Sequence, residues 1–171
     1  ETVNLCIPSG TDMCVIDKQV TSHLLRQDSL IGSMFSLFRS ASGKACLAFL
    51  PEDELHAQLE QIRSTEQVST KEIDELHAEL QQVRNNGVGF DNEGVFKGVR
   101  CVAAPIFDHQ DRVIATIGIS APVVRLTEQN LLTVETEVRR AAANISRRLG
   151  ASTRRVDPPL HLERMFHGKR L

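Results

Sequence analysis

The segment Ser40-Ala41-Ser42-Gly43-Lys44 brings two hydroxyls, a glycine and a cation together at the start of a helical pattern. The first N–H groups of a helix have no partner within it, so they can face an anion, and Gly43 lets a carboxylate approach the backbone closely. The G-x-x-x-x-G-K-[ST] spacing of a phosphate loop is missing, and a capped helix without a ligand accounts for the same residues. Asp91 lies between a helix end and a strand. Its carboxylate there could accept a hydrogen bond from a ligand hydroxyl or orient a neighbouring donor; a surface-loop aspartate is the alternative. Cys101 shares a strand face with Val99 and Ala103, and Gly118 shares one with Ser120 on the next strand. These side chains are small, as a cavity above a sheet requires and as close helix packing also requires. Cys101 reads equally well as a buried apolar thiol.

Several elements must position these residues. Stretches 2–8 and 13–20 are β-rich and flank Pro8-Ser9-Gly10, which predicts a hairpin. Residues 22–28 suggest a third strand, and 29–39 an apolar loop. Ser40 offers an N-cap to a helix over 41–50. Pro51 suits the first turn of a second helix, whose Glu52, Asp53 and Glu54 complement the helix dipole. Polar residues 64–69 break the pattern. Ser69 and Glu72 are spaced for a capping box on a third helix bearing Ile73, Leu76, Leu80 and Val83, stopped by Asn85-Asn86-Gly87. Stretches 99–107 and 112–120 form strands joined by a short turn. Thr127 caps a long helix on which Leu131, Val134, Val138, Ala141, Ile145 and Leu149 recur every three or four residues. This order predicts an α+β fold with a mostly antiparallel central sheet and helices packed on it.

Composition narrows the function classes. The 171 residues are 41% hydrophobic and 25% charged, the range of one ordinary globular domain. No apolar run is long enough to span a membrane. A net charge of −2 gives no overall basic field for nucleic acid, and without Tyr or Trp no aromatic platform for bases is evident. Arg139, Arg140, Arg147 and Arg148 read as a solvated helix face. The four cysteines form no C-x-x-C pair and suit a reducing cytoplasm. No three histidines are spaced like a zinc site, and no cofactor is expected. Residues 151–171 are expected to form a flexible tail. Because the chain opens with Glu1 rather than Met, it reads as a fragment or processed product.

Five stretches carry a resemblance when taken in order: Glu1-Thr-Val-Asn4, Ser40-Ala-Ser-Gly-Lys-Ala45, Gly87-x-x-x-Asp91-x-Glu93, Gly98-Val-Arg-Cys-Val-Ala-Ala-Pro105, and Ile117-Gly-Ile-Ser-Ala-Pro122 with Arg125-Leu-Thr-Glu128. Across residues 1–150 they resemble the C-terminal effector-binding domain of IclR-family bacterial transcriptional regulators. The resemblance implies a GAF-like domain over 1–150 that binds a small organic acid (a 2-oxo acid, sugar acid or aromatic acid). It also implies self-association as a dimer or tetramer, and contact with operator DNA only through a winged helix-turn-helix lying before Glu1. Neither a catalytic role nor a membrane partner is implied.

Carried over position by position, the resemblance puts Leu24, Gln27 and Phe35 on an apolar wall and Ala41, Ser42 and Gly43 at the anion-facing helix start. It puts Asp91 at an acidic corner, and Val99, Cys101, Gly118 and Ser120 on the sheet floor. Gly118 stands where many relatives have serine, and Gly94 breaks a usual Glu-Glu pair. These departures point to a larger or more hydroxylated ligand than a two- or three-carbon oxo acid. The alternatives are a GAF-like thiol enzyme, such as a methionine sulfoxide reductase, and a ligand-free assembly domain. Against the enzyme, Arg100 faces away from Cys101 across the strand and is a poor thiol activator.

Overall fold

The computed structural model describes residues 1–152; the expected flexible tail lies, beyond Ser152, outside the described residues. The opening hairpin forms as the alternation predicts, with β1 (Thr2–Ser9) antiparallel to β2 (Asp12–Gln19). Residues 22–28 are not a strand. Their two apolar side chains, Leu24 and Leu25, are adjacent rather than alternating and both exposed, as are Leu30 and Ile31 just beyond. Polar anchors hold the segment instead: Lys18 bonds Asp28 and the Ser29 carbonyl, and Arg125 donates to the Leu25 carbonyl. The edge partner of β2 is the short β3 (Met34–Ser36), which falls inside the stretch expected to be a loop.

Three helices follow. α1 (Ala41–Leu47) starts at Ser40, whose hydroxyl accepts the Gly43 N–H at 3.0 Å. It stops three residues early because Phe49 and Leu50 turn tightly onto the Cys46 and Leu47 carbonyls ahead of Pro51. α2 (Glu52–Glu66) runs into the expected break, since the Ser64 and Thr65 hydroxyls fold back on the Gln61 carbonyl and leave its helical hydrogen bonds intact. α3 (Thr70–Asn86) has the predicted capping box of Ser69 and Glu72 and ends at a left-handed Gly87. Ser69→Ala should cost about 1 kcal/mol in a urea unfolding experiment; a neutral result would mean that packing alone holds the start of α3. Leu55, Leu59 and Ile62 of α2 and Leu76, Leu80 and Val83 of α3 bury one face each against Met13, Val15 and Leu47.

β4 (Gly89–Asn92) was not anticipated as a strand. It pairs with β5 (Val99–Phe107), which pairs with β6 (Val113–Pro122), and β6 returns to β1. The sheet order is β3-β2-β1-β6-β5-β4, every pairing antiparallel. α4 (Glu128–Arg148) packs Leu131, Val138 and Ala142 on the sheet face formed by Val102, Ala104 and their neighbours. Its buried stripe shifts from the predicted one toward Ala142, Ala143 and Ser146, because the Ser146 hydroxyl accepts the Phe107 N–H, while Leu149 is exposed.

The sheet is curled. Flat, its five inter-strand steps of about 4.8 Å would hold the two edges about 24 Å apart. Yet the ring of Phe35, on edge strand β3, meets that of Phe96, from the turn after edge strand β4, edge to face at 5.8 Å.

Candidate functional site

Register builds the site. Residues directly opposite in an antiparallel sheet point to the same face, so Asp91, Cys101, Ser120 and Thr2 form one row across four strands. The next row is Gly89, Ala103, Gly118 and Asn4. The small residues of that row let α1 lie against the sheet: a Cβ on Gly89 would stand 2.3 Å from the Ala41 carbonyl oxygen. Where the rows meet the start of α1, a cavity opens beneath the Phe35–Phe96 pair.

Of the predicted site residues, Gln27, Phe35, Ala41, Ser42, Asp91, Cys101, Gly118 and Ser120 line this cavity. Three do not. Leu24 is 98% exposed, because its segment loops outward instead of forming a strand. Gly43 faces the other way, its Cβ position filled by the Leu37 backbone at 2.1 Å. Val99 lies one step beyond Cys101 and is bonded into the 93–98 turn, accepting from Glu93 and donating to Phe96. The lining also holds Asn4, Cys6, Ser29, Ser40, Val95, Phe96, Val102, Ala103 and Ile119. For Asn4 a signal was present: it is a polar residue in the inward phase of the alternation Thr2, Asn4, Cys6. Nothing local marked Phe96, which reaches the site only through the curl of the sheet.

The polar contacts are specific. Asp91 is buried, its Oδ1 accepting the Gly94 N–H at 2.7 Å and its Oδ2 the Val95 N–H at 3.4 Å. A Cβ on Gly94 would stand 2.7 Å from that Oδ1, so a side chain there would push the carboxylate aside. Burial raises the Asp91 carboxyl above the usual carboxylate range against the opposing pull of Gly94 and Lys44. Ser120 Oγ accepts from Asn4 Nδ2 at 3.2 Å and from Cys101 Sγ at 3.3 Å. Lys44 is turned away from the cavity, onto Glu79 at 2.7 Å and the Phe90 carbonyl. Gly43 N–H is taken by Ser40, so it is not free to meet a ligand. Burial pushes the Cys101 thiol up to about 12 and the Cys6 thiol up to about 11, so neither is activated as a nucleophile.

The space is small. The cavity volume is about 40 Å³, room for about three waters at roughly 10–15 Å³ each. Gly118 does not enlarge it, contrary to the sequence-based expectation. A Cβ at 118 would lie 2.7 Å from the Val102 carbonyl and 2.9 Å from Ala103 Cβ, so packing already fills that space. Among the described residues no group of His, Cys, Asp and Glu is arranged to hold a metal, and no helix is long and apolar enough to cross a membrane.

Over residues 1–147 the chain matches the family described as Bacterial transcriptional regulator IclR C-terminal, and it belongs to that family. It is 37% identical over 153 residues to the HTH-type transcriptional regulator KdgR of Escherichia coli K12, covering 88% of this chain and 58% of that protein. The solved C-terminal domain of E. coli KdgR superposes with a TM-score of 0.71 at 36% identity, covering 87% of each chain. The Thermotoga maritima IclR structure gives 0.78 at 32% identity, covering 88% of this chain and 62% of that one. This chain thus spans somewhat more than half the length of such relatives. It is a regulatory rather than an enzymatic domain.

Proposed function

We propose that this domain senses a small organic acid in the bacterial cytoplasm and that the bound acid sets operator binding by a winged helix-turn-helix in the longer protein. The carrying observation is the convergence of Ser42, Asp91, Cys101 and Ser120, from four separate elements, on one cavity. Its volume favours the compact head of an acid, a carboxylate with its α-substituent. A longer sugar acid or an aromatic acid requires the Phe35 and Phe96 rings to part. Coupling to DNA needs the acid to bind two subunit arrangements with different affinity, by about 1–3 kcal/mol. Self-association as a dimer or tetramer is supported by the exposed Leu24, Leu25, Leu30, Ile31 and Met34, an apolar surface of the kind that marks an interaction site.

The test is a thermal-shift panel of pyruvate, glyoxylate, sugar acids and aromatic acids. A ligand at about a hundred times its Kd stabilises the fold by about 2.7 kcal/mol, which raises the Tm of a chain of this size by roughly 5–10 °C. Ser120→Ala should weaken the response. A panel in which no acid moves the Tm refutes sensing at this cavity.

A further inference from the structure

Asn4 lines the cavity and is only 7% exposed. Its Nδ2 donates to Ser120 Oγ at 3.2 Å, but its carbonyl oxygen Oδ1 is buried without a partner. The hydroxyls of Thr2 and Thr116, on the same sheet face, are also unpartnered, but they lie outside the lining and no incoming molecule meets them. Asn4 is different because its residue lines the cavity, so a molecule there lies beside the side chain that carries the orphan oxygen. Asp91, also in the lining, has an Oδ2 that takes only one long hydrogen bond. Ser120 already accepts two hydrogen bonds, so its own proton is left to donate. No lysine or arginine lines the cavity among the described residues. The site therefore offers hydroxyl donors for one part of a ligand and two acceptors, Asn4 and Asp91, that need a proton from another part. A keto oxygen supplies no proton; a hydroxyl does.

We propose that Asn4 is a specificity-determining residue: its carbonyl oxygen accepts the hydroxyl proton of a hydroxy acid, so the site selects that acid over the oxo acid of the same carbon skeleton. This inference rests on the sensing reading above and names the ligand class of the same cavity. Leaving a buried polar group unpaired penalises the analogue lacking the hydroxyl, as sites built to bond a substrate hydroxyl generally do. The expected preference is about tenfold or more in affinity.

The test is titration calorimetry of this chain with both enantiomers of lactate against pyruvate, and of 2-hydroxybutyrate against 2-oxobutyrate. In the native chain one enantiomer of each hydroxy acid should bind about tenfold more tightly than its oxo partner. In Asn4→Leu, of similar volume, that ratio should fall to about one through weaker binding of the hydroxy acid alone. If Asn4→Leu does not fold, Asn4→Ser, whose shorter side chain withdraws the oxygen, gives the same comparison. Equal or tighter binding of the oxo acids to the native chain overturns the inference while leaving sensing intact. So does a preference that survives the substitutions. Binding of neither kind of acid overturns this inference, while the sensing reading falls only if the sugar acids and aromatic acids of the wider panel fail as well.

Discussion

Gly43→Ala should lower the stability of the domain by about 3 kcal/mol or prevent its folding. The added methyl would lie 2.1 Å from the Leu37 carbonyl oxygen and 2.4 Å from Leu37 Cα. Both are backbone atoms, so no side chain can rotate out of the way. Either α1 lifts off or the 36–40 turn moves, and that turn carries the Ser36 and Ser40 bonds that cap the helix. Gly10→Ala is the control. Gly10 has φ +62° but open space around it, so its cost is the left-handed backbone alone, about 1–2 kcal/mol. Urea unfolding of the two variants decides the matter: a Gly43 variant no less stable than the Gly10 variant would show that α1 is not seated as described. Sequence reading takes Gly43 as a ligand contact, yet the glycine serves the approach of two backbones.

Asp91→Asn should have the second large effect, in opposite directions on stability and binding. Burial holds the Asp91 carboxyl above the usual carboxylate range. A group raised in the folded state contributes stability that is complete below its unfolded pKa and is lost as pH rises through the folded one. As pH rises through that folded pKa, the buried carboxylate ionises and weakens the fold. The asparagine variant, which still offers an oxygen to Gly94 N–H, should be the more stable protein at pH 7–8, and the gap should close toward pH 4. Affinity for a sugar acid, which carries hydroxyls beyond the one Asn4 accepts, should fall about tenfold with loss of the carboxylate acceptor. Unfolding curves at several pH values, paired with calorimetry, check both parts. A native chain that gained stability over the variant as pH rose would contradict the assigned burial.

Much of this domain could be read from sequence because its signals are local. The Ser69–Glu72 box, the Ser40 cap, the turn before Val113 and the apolar spacing of α3 each occupy a few adjacent residues, and each appears where expected. Eight of the eleven predicted site positions line one cavity, most of them on strands, where a two-residue period fixes the face. The failures are non-local. The 22–28 segment loops out because β3 and β1 already occupy both edges of β2. β4 is four residues long and owes its extended form to β5. Room expected at Gly118 was absent because Ala103, fifteen positions earlier, fills it. Phe96 joins the site only through the curvature that brings it to Phe35, which no short window encodes.

The Phe35–Phe96 contact ties together the first and last strands of the six-stranded order. The sheet thus works like a pair of callipers whose tips are two aromatic rings. Gap and bend are therefore linked, and α4, which packs on the opposite face of those strands, is a twenty-one-residue rod whose seat depends on that same bend.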